Sequence, residues 1–166
     1  MRNKLLITAA IVVGLASIAY AAFAQILTIN GTGTATGNWD VKILSITPVA
    51  QTGATDHANT PTFTTTSATF NVDLAYPGAT SSYDIVIKNA GTVPAKLSSI
   101  TDLTTINAAA PVDIKYAVTG VAANDTLAAG AQVTARVTVN WQSTGSSNIQ
   151  TQSKAATIEF NYIQNT

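Results

Sequence analysis

Val133-Thr134-Ala135-Arg136-Val137-Thr138-Val139-Asn140-Trp141 decides the fold class of this chain. Apolar and polar residues alternate without a break. An extended backbone therefore puts Val133, Ala135, Val137, Val139 and Trp141 on one face and Thr134, Arg136, Thr138 and Asn140 on the other. The period recurs on both sides of this stretch. Tyr83, Ile85 and Ile87 alternate with Asp84, Val86 and Lys88, and Phe70, Val72 and Leu74 alternate with Asn71 and Asp73. Ile114, Tyr116 and Val118 form another set, as do Ile158, Phe160 and Tyr162 with Glu159 and Asn161 between them. Trp39, Val41 and Ile43 share a face until Leu44 and Ile46 take over on the opposite parity, which predicts a bulge or a bend between sheets.

Turn signals separate these runs: Pro77-Gly78, Asn89-Ala90-Gly91, Ala129-Gly130 and Thr144-Gly145-Ser146-Ser147. Seven or eight short strands so spaced predict an antiparallel β-sandwich in one domain. Residues 47–67, rich in Thr, Ala and Gly with Pro48 and Pro61, predict a long surface loop, and residues 104–111 a second. Beyond Gln25 no stretch shows helical periodicity. Tyr76-Pro77-Gly78-Ala79 and its following strand are echoed 52 residues later by Ala128-Ala129-Gly130-Ala131 and Ala135/Val137/Val139. The echo marks either two similar edges of a Greek key or the general grammar of turn plus strand.

The first residues set the compartment. Arg2 and Lys4 precede an apolar run from Leu5 to Ala24, which closes on Ala22-Phe23-Ala24. A basic start, an apolar core and a small-x-small end are the layout of a secretory signal peptide. The run is also long enough to span a bilayer as a helix, so a retained anchor or a pilin-type helix stays open. The expected division is a leader over 1–24, an arm over 25–36 and a single β-sandwich over 37–166, exported in either case.

In residues 25–166 six basic side chains meet eight acidic ones. Nucleic acid, or an anionic membrane, needs a basic face, so neither is an expected partner; a membrane enters only through the leader before processing. Cysteine is absent, so packing, backbone pairing or neighbouring subunits must supply what disulfides supply elsewhere. Charged residues make up 10% of the chain, against a usual quarter. So neutral a surface suits a cell-surface or matrix protein that packs against copies of itself.

Chemistry has little to work with. The single histidine, His57, sits beside Asp56 in a Gly/Thr-rich stretch, where a solvated pair is the ordinary reading. Without cysteine or a second histidine, no zinc or copper site is expected, and Asp40, Asp73, Asp84, Asp102, Asp113, Asp125 and Glu159 are spread singly. No Gly-x-Ser-x-Gly elbow and no calcium-loop spacing occur. The expectation is no catalytic residue, no metal, no cofactor and no enzyme. Two Asn-x-Thr sequons, at Asn30 and Asn124, are candidate N-glycosylation acceptors.

Behind the leader runs Gln25-Ile26-Leu27-Thr28-Ile29-Asn30-Gly31-Thr32-Gly33-Thr34-Ala35-Thr36. One face carries Leu27, Ile29, Gly31, Gly33 and Ala35; the other carries Thr28, Asn30, Thr32, Thr34 and Thr36. Two aliphatic knobs followed by glycines make a weak strand alone, yet suit an arm slotting into a groove on another sheet, where glycine lets backbones approach closely. The alternative is an ordinary first strand of its own sandwich. As a donor, the segment would use Gln25, Ile26, Leu27, Ile29, Gly31, Gly33 and Ala35, and its acceptor would be a groove lined by faces such as Val137/Val139 or Ile158/Phe160.

The arm, then Asn38-Trp39-Asp40-Val41-Lys42, then Tyr76-Pro77-Gly78 leading into Tyr83-Asp84-Ile85-Val86-Ile87-Lys88-Asn89-Ala90-Gly91-Thr92-Val93-Pro94-Ala95, and the closing Val137-Thr138-Val139-Asn140-Trp141 together resemble the TasA/camelysin group of biofilm-matrix fibre proteins and the related archaeal bundling pilins. The resemblance covers nearly the whole exported part. It implies a jelly-roll-like sandwich whose subunits polymerise by donor-strand complementation. Camelysin's reported metalloprotease activity does not carry over, since this chain has no metal-ligand cluster. The expected fold is thus all-β, an antiparallel jelly-roll or Ig-like β-sandwich with an extended N-terminal strand, preceded by an apolar leader helix. The expected function is a secreted structural subunit of a cell-surface pilus or extracellular biofilm-matrix filament, partnered by copies of itself in a homopolymer, single or bundled. Two alternatives remain: a pilin assembled through its retained helix Leu5–Ala24, and a monomeric adhesion or carbohydrate-binding sandwich using Trp39, Trp141 and Tyr76, although both tryptophans fall on the apolar parity that marks core.

Overall fold

Two antiparallel sheets carry the fold in the computed structural model, which describes residues 36–143 and 154–165. In chain order the elements are β1 (Val41–Thr52), β2 (Ala54–Asp56), β3 (Thr62–Phe63), β4 (Ala68–Thr69), β5 (Val72–Leu74), β6 (Thr80–Asn89), β7 (Ala95–Ile100), helix α1 (Leu103–Ala108), β8 (Ile114–Thr119), β9 (Thr126–Leu127), β10 (Gln132–Trp141) and β11 (Phe160–Gln164). The larger sheet runs β1-β6-β10-β8 and the smaller β11-β7-β9, while β2 pairs with β5 and β3 with β4. The expectation of an all-β chain with antiparallel sheets holds.

The alternating runs form the strands they predict. Along β6 every second residue is buried, from Ser81 through Tyr83, Ile85 and Ile87 to Asn89, and β10 buries Ala135, Val137, Val139 and Trp141. Tyr83, Ile85, Ile87, Ala135 and Val137 meet Ala95, Leu127, Phe160 and Tyr162 of the small sheet in one core, while Val139 and Trp141 pack with Ile114 and Tyr116 in a second. Each fully buried aliphatic there contributes about 1.5–3 kcal/mol. Tyr83 is wholly buried, stacks on Phe70 with ring centroids 4.5 Å apart, and donates its hydroxyl proton to Asp56. Burial first, and then that acceptor, pushes its phenol up to about 12.

The 52-residue echo is a local two-fold in the large sheet. β6 and β10 pair about their middles, with Ile85 opposite Ala135 and Asp84 opposite Arg136. At one end Gly78 N–H donates to Trp141 O at 2.6 Å and Trp141 N–H to Ala79 O at 2.9 Å. At the other, Gly130 N–H donates to Asn89 O at 2.8 Å and Asn89 N–H to Ala131 O at 3.0 Å. Both turns need a left-handed residue, and Gly78 (φ 101°) and Gly130 (φ 77°) supply it. Each turn thus caps the far end of the other's strand.

The parity switch near Leu44 is a bulge: Ile43 faces Ile87, the next partnered residue is Ser45 against Val86, and Leu44 is the extra residue. Elsewhere the structure corrects the reading. Residues 47–67 are not a loop: β1 continues to Thr52, and β2 and β3 follow. Within residues 104–111, most of α1 replaces the expected loop, capped by Asp102, whose carboxylate accepts from Thr104 N–H at 2.9 Å. Trp39 is not core but 43% exposed, because the chain leaves the sheet before Val41. Trp141 is core, at 4%.

Candidate functional site

The surface feature with the clearest functional content is a sheet edge. An edge strand presents unpaired N–H and C=O groups to any passing strand, and proteins that stay apart blunt their edges with short strands, bulges, prolines, charges or covering elements. The two sheets have four edges, and three are blunted.

The β8 edge is covered by α1. Asn107 Nδ2 donates to Tyr116 O at 2.8 Å while Tyr116 N–H donates to Asn107 Oδ1 at 2.8 Å, so one side-chain amide occupies the place of a neighbouring strand. Lys115 Nζ donates to Asn107 O at 2.7 Å and fixes the helix end. Lys154 Nζ donates to the carbonyls of Ala109 (2.8 Å), Ile114 (3.0 Å) and Pro111 (3.2 Å), while its own carbonyl accepts from the Tyr116 hydroxyl. Burial and the nearby Lys115 hold the Lys154 ammonium below its ordinary pKa.

The β1 edge is interrupted. Bulges place Leu44 and Val49 out of register, Pro48 lacks an N–H, and Ile43 N–H is taken by Thr65 O at 2.8 Å, from the β3–β4 hairpin. The β9 edge is two residues long.

The fourth edge is different. β11 pairs with β7 on one side, and among the described residues its other side pairs with nothing. The one register shift in this ladder falls on Ser98 of β7, so β11 itself runs unbroken. It holds no charge and no proline, and Ile163 is 50% exposed. Thr101 N–H donates to Glu159 O at 3.1 Å and Asn165 N–H to Pro94 O at 2.9 Å, so odd-numbered residues turn their backbone groups toward β7. By the strand's alternation, Phe160, Tyr162 and Gln164 turn theirs outward. The side chains of Phe160 and Tyr162 point into the core yet stay half-buried, unlike the sealed inward row of β6. Ile158, just before β11, is half-buried against the same core.

Of the two acceptor faces expected from sequence, Val137/Val139 is excluded: both lie at the centre of the large sheet, 1% and 2% exposed. Ile158/Phe160 lies at the open edge. The leader, the arm residues 25–35 and Asn30 fall outside the described residues, but the arm's root does not. Ala90 N–H and Gly91 N–H both donate to Asp40 O, Thr92 N–H donates to Asn38 O at 2.9 Å, and Asn38 N–H donates to Thr92 Oγ1 at 2.9 Å. The root is pinned to the β6–β7 turn, whose shape is set by the wholly buried Asn89: its amide donates to Val93 O (2.8 Å) and Leu127 O (3.1 Å) and accepts from Gly91 N–H (3.1 Å). Gly91 is needed for contact, since a Cβ there would stand 2.3 Å from Asn38 O.

No reactive constellation emerges beside this edge. His57 Nε2 lies 2.7 Å from Asp73 Oδ1, with both side chains largely in solvent, and Asp56 instead serves Tyr83. Among the described residues no three His, Cys, Asp or Glu side chains are placed to hold a metal ion. A shallow depression on the large sheet is lined by Asp84, Thr119, Gly120, Thr134 and Arg136, but its charges are spent on each other: Arg136 Nε and Nη2 donate to the two Asp84 oxygens at 2.7 and 2.9 Å. That guanidinium holds the Asp84 carboxyl below the usual range. Compared with known proteins, the chain matches no family model, no curated protein and no solved structure.

Proposed function

We propose that the chain is a structural subunit, exported behind its leader, that polymerises by strand addition: the arm Gln25–Ala35 of one copy pairs along the open side of β11 in the next. The observation that carries this reading is the β11 edge, unbroken and uncharged, with Phe160 and Tyr162 half-buried beside it. Leu27 and Ile29 have the size and spacing to cover those two rings, while Gly31 and Gly33 allow close backbone approach. The outward backbone groups of Phe160, Tyr162 and Gln164 offer up to six hydrogen bonds, each worth about 1 kcal/mol net. Two buried aliphatic knobs add about 1.5–3 kcal/mol each. The gross gain, on the order of 10 kcal/mol, is reduced by the cost of ordering the arm. Because each copy gives one arm and takes one, the contact is head-to-tail, which builds a filament wherever its rotation does not close a ring. With a strand added to the small sheet, a jelly-roll-like sandwich is the fold that results. No enzymatic role enters this reading.

The adhesion alternative gains nothing from Trp39 and Tyr76, although both are exposed. Trp39 precedes β1, and Tyr76 packs over Gly53 just beyond its far end; 12 residues of strand at about 3.3 Å each put roughly 40 Å between the two ends. One sugar cannot stack on both.

The absence of native cysteine gives a clean test. Asn161→Cys on the outward face of β11, combined in turn with Thr28→Cys, Asn30→Cys, Thr32→Cys and Thr34→Cys, should give a ladder of covalent oligomers for one pairing when filaments are oxidised. Cross-strand neighbours on one face are close enough for a disulfide. Filaments that yield no cross-link from any of the four pairs would refute pairing of the arm with β11.

A further inference from the structure

The Asn124 turn lies at the opposite edge of the small sheet from β11. Asn124-Asp125-Thr126 is a complete acceptor sequon with no proline at its centre. Asn124 is exposed, and its backbone takes a left-handed conformation at φ 77°. The turn's polar groups are satisfied without its side chain: Asn124 N–H donates to Leu97 O at 2.7 Å, Asp125 N–H to Ala122 O at 3.1 Å, and Ala122 N–H to Asp125 Oδ2 at 2.7 Å. Asparagines in turns ordinarily fold their amide back onto nearby backbone. Among the described residues the Asn124 amide makes no such bond, and Thr126, which completes the sequon, is the exposed first residue of β9. An exported chain with 10% charged residues lacks the repulsion that keeps proteins apart in solution. A bulky hydrated group supplies that separation without charge.

We propose that Asn124 carries an N-linked oligosaccharide. The donor is a sugar linked through phosphate to a membrane lipid, handled by a transferase on the exported side. Asn124 Nδ2 attacks the anomeric carbon, a C–N bond forms, the C–O bond to phosphate breaks, the lipid phosphate departs and a proton passes from Nδ2 to a base of the transferase. The product stands over the two-residue β9 edge and screens it, leaving β11 as the open side of the small sheet. The inference rests on the export assumed above, and not on strand addition.

The test uses protein taken from the surface of the cell that makes it. Trypsin releases Tyr116–Arg136, in which Asn124 is the sole asparagine. Electron-transfer fragmentation should place a saccharide mass on Asn124. Asn124→Gln and Thr126→Ala should abolish it, and Thr126→Ser, which keeps the sequon, should retain it. An unmodified Asn124, or a saccharide that persists in Asn124→Gln on Thr119, Thr126 or Thr134, overturns the proposal. Filaments made of unmodified subunits would sink this inference alone, and a glycosylated subunit that never polymerises would sink the filament reading alone.

Discussion

Replacing Asn107 by alanine should cost the subunit far more than an ordinary surface substitution on a short helix. Among the described residues the Asn107 amide alone covers both backbone groups of Tyr116 on this edge, through two bonds of 2.8 Å. Tyr116 is 6% exposed, so water has poor access to the groups left behind. Two net hydrogen bonds are worth about 1–3 kcal/mol, and an unpaired buried group adds to that. The expected loss is therefore about 2–3 kcal/mol, read as a lower urea midpoint with unchanged slope, or as a melting temperature lower by roughly 6–12 °C for a domain of this size. Asn107→Asp separates the two bonds. Its carboxylate still accepts from Tyr116 N–H but cannot donate to Tyr116 O, whereas the protonated acid can. Donation to Tyr116 O favours the protonated acid in the fold and raises its pKa there, so the variant's deficit against the parent should shrink as pH falls through that raised value and level off below the unfolded value of about 4. The native chain has no such group at 107, which makes the pH dependence a signature of this contact. An Asn107→Ala subunit within about 0.5 kcal/mol of the parent would show that the amide does not close this edge.

Three further outcomes are expected. Leu27→Asp and Ile29→Asp should block polymerisation while leaving the monomer's melting curve intact, and Thr28→Asp, on the opposite face, should be tolerated better; electron microscopy with a thermal melt decides, and a Leu27→Asp monomer that unfolds makes the arm an ordinary first strand. Arg136→Met should remove part of the acid limb of the stability curve: the depressed Asp84 contributes stability above its unfolded pKa and loses it as pH falls through the folded value, so an unchanged limb refutes the pair's role. Tyr83→Phe should flatten the alkaline limb, because a phenol held near 12 in the fold and near 10 unfolded makes the parent lose stability as pH rises between those values.

The strands that carry the core were legible because each is buried on one face, and the alternation in Tyr83–Ile87 and Val133–Trp141 is that burial written into the sequence. The second half of β1 was not. From Thr47 to Thr52 every residue is exposed, so no face imposes a period, and the strand persists because β6 supplies backbone partners. Helix α1 has six residues, under two turns, too short for a 3.6 period to show; its signal was the cap at Asp102, with Leu103 and Ile106 at helical spacing facing the core. Trp39 shares the parity of Val41, but parity says nothing about where a strand starts. The open edge was hidden for another reason. Ile158, Phe160 and Tyr162 alternate like any other run, and whether a strand is flanked on one side or both depends on partners far away in sequence. Asn107 likewise reads as an ordinary polar residue until the fold sets it beside Tyr116.

The blunted edges matter to the filament reading as much as the open one. A subunit with one arm and one acceptor edge can grow only without branching, as a line or a ring, whatever the arm's affinity. A subunit with two acceptor edges would branch or collapse into sheets, because a strand rich in Thr and Gly carries little sequence information to tell one exposed ladder from another. Directional growth therefore depends on closing β8, β1 and β9 by other means. The chain does this with a side-chain amide, a lysine clasp, two bulges, a proline and a strand of two residues, none of which relies on charge repulsion. In this view the sparse charge and the blunted edges are linked. A surface too neutral to keep copies apart needs its edges closed one by one, and on the proposed filament reading the edge left open is the one where copies meet.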